Sequence, residues 1–221
     1  MDTRDNAPEI LREFLVYHET IKGHSKKTVD EYYLDLRTFF RYIKMARGLV
    51  PKGTDFEDIH IQDVDLPFVG SMTLTDVYDF LSYLSRQRPA GSGQVGLSPT
   101  SRARKIATLR SFYKYLTVKA KKLEKNPVAD LDSPKVKKTL PRYLSLDESR
   151  SLLASVEGKH KARDLCILTL FLNCGLRISE LVDLNISDVR GDSLRIRGKG
   201  GKEREVFLND ACLNAIKAYM E

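Results

Sequence analysis

Two segments carry side chains spaced for chemistry: Gly175-Leu176-Arg177-Ile178-Ser179-Glu180-Leu181, and then Gly198-Lys199-Gly200-Gly201-Lys202. Arg177 falls at i, i+4 and i+7 with Leu181 and Leu184, which predicts an arginine on an otherwise apolar helix stripe. Such an arginine is either buried against a partner or aimed into a cleft, where its planar guanidinium can clamp phosphate and keep its charge. Glu180 lies three residues on and can pair with it, and a plain surface salt bridge explains that spacing equally well. Lys199 stands among three glycines in a turn between two short strands, so backbone and side chain can approach a ligand closely. An ordinary flexible hairpin tip is the plain alternative. The turn is not a phosphate-binding Walker loop, because Glu203 follows Gly201-Lys202 and Ile196 occupies the upstream glycine position. Together the arginine and the lysine suit half of a site that handles phosphodiesters.

The elements that must position them follow from periodicity and capping signals. Pro8 to Thr20 reads as a first helix with Ile10, Leu11, Phe14 and Leu15 on one side. Ser25 can cap a long second helix to about Arg47, with Val29, Tyr32, Tyr33, Leu36, Phe39, Phe40 and Ile43 at helical spacing. A long loop without a strong period follows, punctuated by Pro51, Gly53, Pro67 and Gly70. Thr73 with Asp76 resembles a capping box opening a third helix to about Arg88, and Arg86 to Leu97 is a turn rich in Gly, Pro and Ser. Ser98-Pro99 starts a fourth helix to about Lys121. In it Ile106, Leu109, Tyr113, Leu116 and Ala120 form the core stripe, with Arg104, Arg110, Lys114, Lys119 and Lys122 off it.

Asn126 to Arg142, with Pro127, Pro134, Pro141, Lys135, Lys137 and Lys138, reads as an extended basic linker and domain boundary. The expected division is 1–122, 123–141 and 142–221. Beyond the linker, Ser145 with Glu148 is a capping box for a helix to about Val156, a buried helix spans about Lys161 to Asn173, and a short one runs from Arg177 to Asn185. Ser193–Arg197 and Glu203–Leu208 form a hairpin around the glycine turn, with Leu194 and Ile196 inward, before a last helix from about Ala211 to Met220. The fold class expected is mainly α with a small β-hairpin or sheet.

Composition limits the function classes. With 42% hydrophobic and 30% charged residues, this is an ordinary globular chain with material for real cores. Cys166, Cys174 and Cys212 have no metal-ligand spacing, and His18, His24, His60 and His160 are scattered, so no metal site is expected. The polar start lacks a signal peptide's apolar core, and the run Cys166 to Leu172 is too short to span a bilayer, so a cytoplasmic, membrane-free protein is expected. The net charge of +7 is concentrated. Residues 98–125 hold nine basic residues and only Glu124, whereas 1–97 carry 12 Lys/Arg against 15 Asp/Glu. A local basic stripe points to a polyanion partner, against the plain alternative of a solvated helix face.

The arginine heptapeptide, the turn Gly198-Lys199-Gly200-Gly201-Lys202-Glu203-Arg204, and Asn126-Pro127-Val128 at the linker entry resemble tyrosine recombinases of the phage-integrase class, of the bacterial Xer type. The resemblance implies an N-terminal four-helix, SAM-like core-binding domain followed by the first part of a mixed α+β catalytic domain. It implies strand cleavage and rejoining through a 3′-phosphotyrosyl intermediate, with double-stranded DNA as partner, tetramers on two sites, and neither metal nor other cofactor. Arg177 matches the arginine that neutralises the phosphorus centre, and Lys199 the lysine that protonates the leaving 5′-oxygen. That acid role requires a lysine pKa lowered from ~10.4, which Arg177 and Arg197 nearby would promote. Glu180 orients Arg177.

The family's His-x-x-Arg motif and late nucleophilic tyrosine are not found, and Tyr219 is read as a face residue of the last helix. A non-catalytic DNA-binding regulator is therefore the alternative, and a helical module for an acidic protein partner is a third. Lys26, Lys27, Arg37 and Arg41 on the second helix, and Arg102, Arg104, Lys105 and Arg110 on the fourth, are the expected DNA contacts, mostly to phosphate.

Overall fold

The structure is a computed structural model that describes residues 6–89, 95–132 and 140–221, with Lys199 described by its backbone alone. Two compact units divide the chain, Met1–Lys138 and Thr139–Glu221. Among the described residues the chain is mainly helical with one small sheet, as its periodicity predicts.

The first unit contains α1 (Glu9–Val16), α2 (Lys26–Ala46), α3 (Leu66–Gly70), α4 (Leu74–Arg86) and α5 (Pro99–Lys114). Local capping starts α2, α4 and α5, as the sequence predicts. Ser25 accepts from the Thr28 N–H, Ser98 from Ser101 with Pro99 at the first helical position, and Thr73 forms a reciprocal box with Asp76. Both α1 and α5 run on into a π-helical turn, Tyr17–Ile21 and Tyr115–Lys119. Their apolar faces meet in a core where Phe14, Phe39, Phe40, Phe80, Phe112 and Tyr113 are fully buried. Edge-to-face pairs such as Phe14–Phe112 and Phe39–Phe80, at centroid distances of 5.3 and 5.1 Å, give that core fixed geometry as well as burial.

The stretch after α2, expected as a loop without a strong period, is anchored. Arg41 donates to the Ile59 carbonyl at 2.9 Å, and Lys44 to the His60 carbonyl at 2.8 Å and to Asp63 at 2.7 Å. Ile59, Ile61 and Val64 are buried, and Asp65 caps α3, which has Pro67 in its first turn. Within the segment expected as linker, Val128 and Leu131 belong to this same core. The linker residues Lys135, Lys137 and Lys138, and the turn residues 90–94, lie outside the described residues.

The second unit contains α6 (Leu146–Ala154), α7 (Lys161–Cys174), α8 (Ile178–Val182) and α9 (Asp210–Met220), with β1 (Val189–Arg190), β2 (Ser193–Arg197) and β3 (Glu203–Phe207). The sheet is antiparallel in the order β1-β2-β3, so the expected hairpin gains a short third strand. Its register pairs Leu194 with Val206 and Ile196 with Arg204, which places those four on the core-facing side of the pleat. Cys166, Leu170 and Cys174 from α7 meet Leu194, Ile196, Leu208 and Cys212 in a small core. The sequence reads α7 as buried, but only one side is: Leu172 and Asn173 face solvent.

Candidate functional site

The local chain path sets up the arginine. Gly175 ends α7 in the left-handed region at φ 59°, a conformation that glycine adopts without a Cβ penalty. Leu176 then turns into the core, and the extended Arg177 emerges as the N-cap of α8. This corrects the expectation that Arg177 lies on a helix stripe with Leu181 and Leu184. It precedes the helix, and its side chain is 72% exposed.

Glu180, at the third position of α8, is the hub of the site, with a side chain only 3% exposed. Its Oε2 accepts from the Arg177 backbone N–H at 2.9 Å and from Arg204 Nη2 at 2.9 Å. Its Oε1 accepts from Arg177 Nη1 and from Arg204 Nη1, both at 2.8 Å. Four donors saturate the carboxylate. The Arg204 hydrogen bonds first, and then the Arg177 N–H, hold it well below the usual carboxylate range. It stays ionised and has no lone pair left with which to take up a proton. The sequence reading gave Arg204 no role, although the β3 alternation sets it on one face with Val206.

The glycine turn lies between β2 and β3 as expected, closed by Gly198 N–H to the Lys202 carbonyl at 2.7 Å. Gly200 and Gly201 have φ of 76° and 74°, a conformation that side-chain-bearing residues rarely adopt. A Cβ on Gly198 would meet Glu180 Oε1 at 3.5 Å and Arg204 Nη1 at 3.8 Å, so the hub abuts the residue before Lys199. The Lys199 side chain, and with it the expected lowering of its pKa, lies outside the described residues. Arg197 pairs across the hairpin with Glu203 at 3.1 Å. A second ion pair, Arg195 to Asp188 at 2.8 Å, ties β2 to the turn ahead of β1.

In the first unit the eight expected DNA contacts divide into groups. Arg41 is buried against the Ile59 carbonyl and Glu57, and Lys105 is buried on Asp35 at 2.8 Å. Neither presents a cation to solvent, which corrects the expectation for both. Arg104 bridges to Glu31 and, at 2.9 Å, to Asp35, with its side chain 46% exposed. Arg37 lies over the Tyr33 ring at 5.6 Å, and Arg102 is half-buried, with its Nε enclosed and without a hydrogen-bond partner among the described residues. Lys26, Lys27 and Arg110 are exposed.

An open apolar groove of about 550 Å³ in the second unit is lined by Cys166, Leu170, Leu181, Leu184 and Tyr219 among others, and includes neither Arg177 nor Glu180. Among the described residues no group of three His, Cys, Asp or Glu is placed to hold a metal ion, and no helix is long and apolar enough to cross a membrane.

Residues 142–221 match the model of the phage integrase family. The chain is 47% identical over 214 residues to the tyrosine recombinase XerC of Caldanaerobacter subterraneus subsp. tengcongensis, an alignment covering 97% of this chain and 59% of that protein. It is 34% identical over 215 residues to the tyrosine recombinase XerC of Myxococcus xanthus, covering 96% and 62%. The chain thus spans about three-fifths of the length of these relatives. In fold it is similar to a lambda integrase dimer bound to a COC′ core site, with a TM-score of 0.59 at 17% identity over 94% of this chain and 68% of that one. It is also similar to the XerH site-specific recombinase in a pre-cleavage complex with its difH substrate, with a TM-score of 0.57 at 19% identity over 95% and 56%.

Proposed function

We propose that this chain, which belongs to the phage integrase family of tyrosine recombinases, acts in site-specific DNA recombination. The first unit grips duplex DNA, and the second supplies Arg177 and Lys199 to the scissile phosphodiester. The observation that carries this reading is the Glu180 hub. It fixes Arg177 through its own backbone and one Nη while most of the side chain stays exposed.

An arginine so held is preorganised to neutralise charge that develops on a phosphorane, with little reorganisation at the moment of reaction. In the same reading a tyrosine attacks the phosphorus to leave a 3′-phosphotyrosyl link. Lys199 donates a proton to the departing 5′-oxygen from a glycine turn whose backbone can come close to the strand. Tyr219 lines the apolar groove and is not given the nucleophile's role. DNA contact falls to Lys26, Lys27 and Arg110, with Arg37, Arg102 and Arg104 beside them, while Arg41 and Lys105 serve the fold. The partner is double-stranded DNA, and assembly on two sites as a tetramer belongs to the same reading. The protein works in the cytoplasm, and the chemistry draws on no metal or nucleotide cofactor, because the phosphotyrosyl bond conserves the energy of the broken one.

The test has two arms. In fluorescence anisotropy the chain is expected to bind duplex DNA, with affinity falling steeply as salt rises. Failure to bind even at low salt would overturn the assignment of the first unit. In the second arm, this chain replaces the matched 214 residues within the Caldanaerobacter relative. A nicked suicide substrate should then yield a covalent adduct, and Arg177→Ala should slow its formation by ~10²–10³ while binding persists. Undiminished adduct formation would remove Arg177 from the mechanism.

A further inference from the structure

We propose that Arg204 is a positioning residue: it neutralises Glu180 from the strand side and thereby keeps the Arg177 guanidinium turned outward to meet an anion. The role rests on the reading of Arg177 as the residue that meets phosphate.

Arg204 reaches the hub because of sheet register. Paired opposite Ile196, it points to the core side of the sheet, a position where the neighbours along its face are apolar. An arginine on that side needs a counter-ion, and Glu180 supplies it through two parallel bonds, Nη1 to Oε1 at 2.8 Å and Nη2 to Oε2 at 2.9 Å. Glu180 in turn comes from the first turn of α8, where its Oε2 also accepts the Arg177 N–H. One carboxylate therefore joins the strand that leaves the Lys199 turn to the helix start that carries Arg177.

The two arginines share the carboxylate unequally. Arg204 faces it with its full fork and is 38% exposed, whereas Arg177 gives it one Nη and is 72% exposed. That division is the functional content of the arrangement. A carboxylate shielded from water requires several donors, and Arg204 provides the two that Arg177 would otherwise have to give. With Arg204 gone, the charge on Glu180 can be satisfied only by drawing the Arg177 guanidinium inward into a bidentate pair. The same guanidinium cannot then clamp a phosphate through two bonds.

The arrangement can be probed on the chain itself through the reactivity of Arg177 towards phenylglyoxal, which condenses with accessible guanidinium groups, followed by peptide mapping. Arg204→Met should slow modification of Arg177 by about tenfold or more, the factor expected when one further hydrogen bond to a charged group must break before the guanidinium reacts. Arg204→Met combined with Glu180→Gln removes the buried charge that pulls Arg177 inward, and should restore most of the rate. Equal rates in the wild type and Arg204→Met would overturn the proposal. So would slowing that the double variant fails to relieve, since that is the signature of a merely structural arginine. If circular dichroism shows that Arg204→Met does not fold, Arg204→Gln, which removes the charge and the parallel pair of bonds but keeps an amide donor, should show a smaller slowing that Glu180→Gln relieves, and equal rates there overturn the proposal. No DNA enters this assay. A chain that shows the slowing and its rescue but binds no duplex keeps the clamp and refutes only the recombinase reading.

Discussion

His18 makes the stability of the first unit depend on pH in a window where few other groups titrate. It sits in the π-helical turn after α1, buried, with its ring edge-on to Phe14 at 4.5 Å and to Tyr32 at 5.1 Å. Its Nδ1 lies 3.3 Å from Nδ1 of His24 and its Nε2 lies 3.3 Å from the Ser111 hydroxyl. Burial first, then the nearby His24 and Lys22, lowers its pKa from 6.5 to about 4. The folded state therefore refuses a proton that the unfolded chain accepts. Stability is complete above about pH 6.5, falls as pH drops from there towards 4, and levels off below that. With those two values the loss between pH 8 and pH 5 is about 2 kcal/mol, and the full loss about 3 kcal/mol. The sequence has no tryptophan, so urea titrations at the two pH values are best followed by far-UV circular dichroism. His18→Leu starts from a lower stability, having lost two polar contacts, but should lose about 2 kcal/mol less than the wild type between pH 8 and 5. Parallel losses in the two proteins would refute the reasoning.

The basic residues of α2 and α5 should separate by assay. Arg41→Ala leaves the Ile59 carbonyl without its donor, and is expected to lower stability by about 1–3 kcal/mol while DNA affinity of the folded protein holds. Lys27→Ala should leave the melting temperature in place and reduce the slope of log K against log salt by about one; the opposite pattern in either variant would contradict the sorting. Cys174 should resist thiol reagents in the folded protein. Burial first, and then Cys212 with its sulfur at 3.9 Å, push its pKa up, so little reactive thiolate is present at neutral pH. Labelling that outpaces unfolding of the second unit would contradict that placement.

What the sequence made legible was local. Ser25, Thr73 with Asp76, Ser98-Pro99 and Ser145 with Glu148 each act on backbone groups within three residues, and each cap forms where its residues predict it. The anchoring of residues 56–65 was not legible, because its partners are distant. Arg41 finds Ile59 across 18 residues, and Lys44 finds Asp63 across 19. Distance also explains the misread cations. Counting charge places Lys105 in a basic stripe, but the carboxylate that captures it, Asp35, is 70 residues away and belongs to α2. The two residues of β1 are too few to show a period of two, so the third strand could come only from pairing with β2.

At the candidate site Arg177 was legible only in part. Its spacing from Leu181 and Leu184 fits a helix stripe, but in the structure it is the N-cap of α8, facing Glu180 at the third helical position. Gly175 decides this, since a glycine in the left-handed region ends α7 and leaves Arg177 outside the next helix. That placement has a chemical consequence. A carboxylate buried beside two arginines could in principle act as a proton acceptor, and Asp or Glu often does so in phosphoryl-transfer sites. Glu180 is held too far below the usual range and is bonded at all four lone-pair positions. In the proposed reaction the proton movements fall to groups other than Glu180. The carboxylate serves geometry: it converts two flexible arginines into one inward strut and one outward arm.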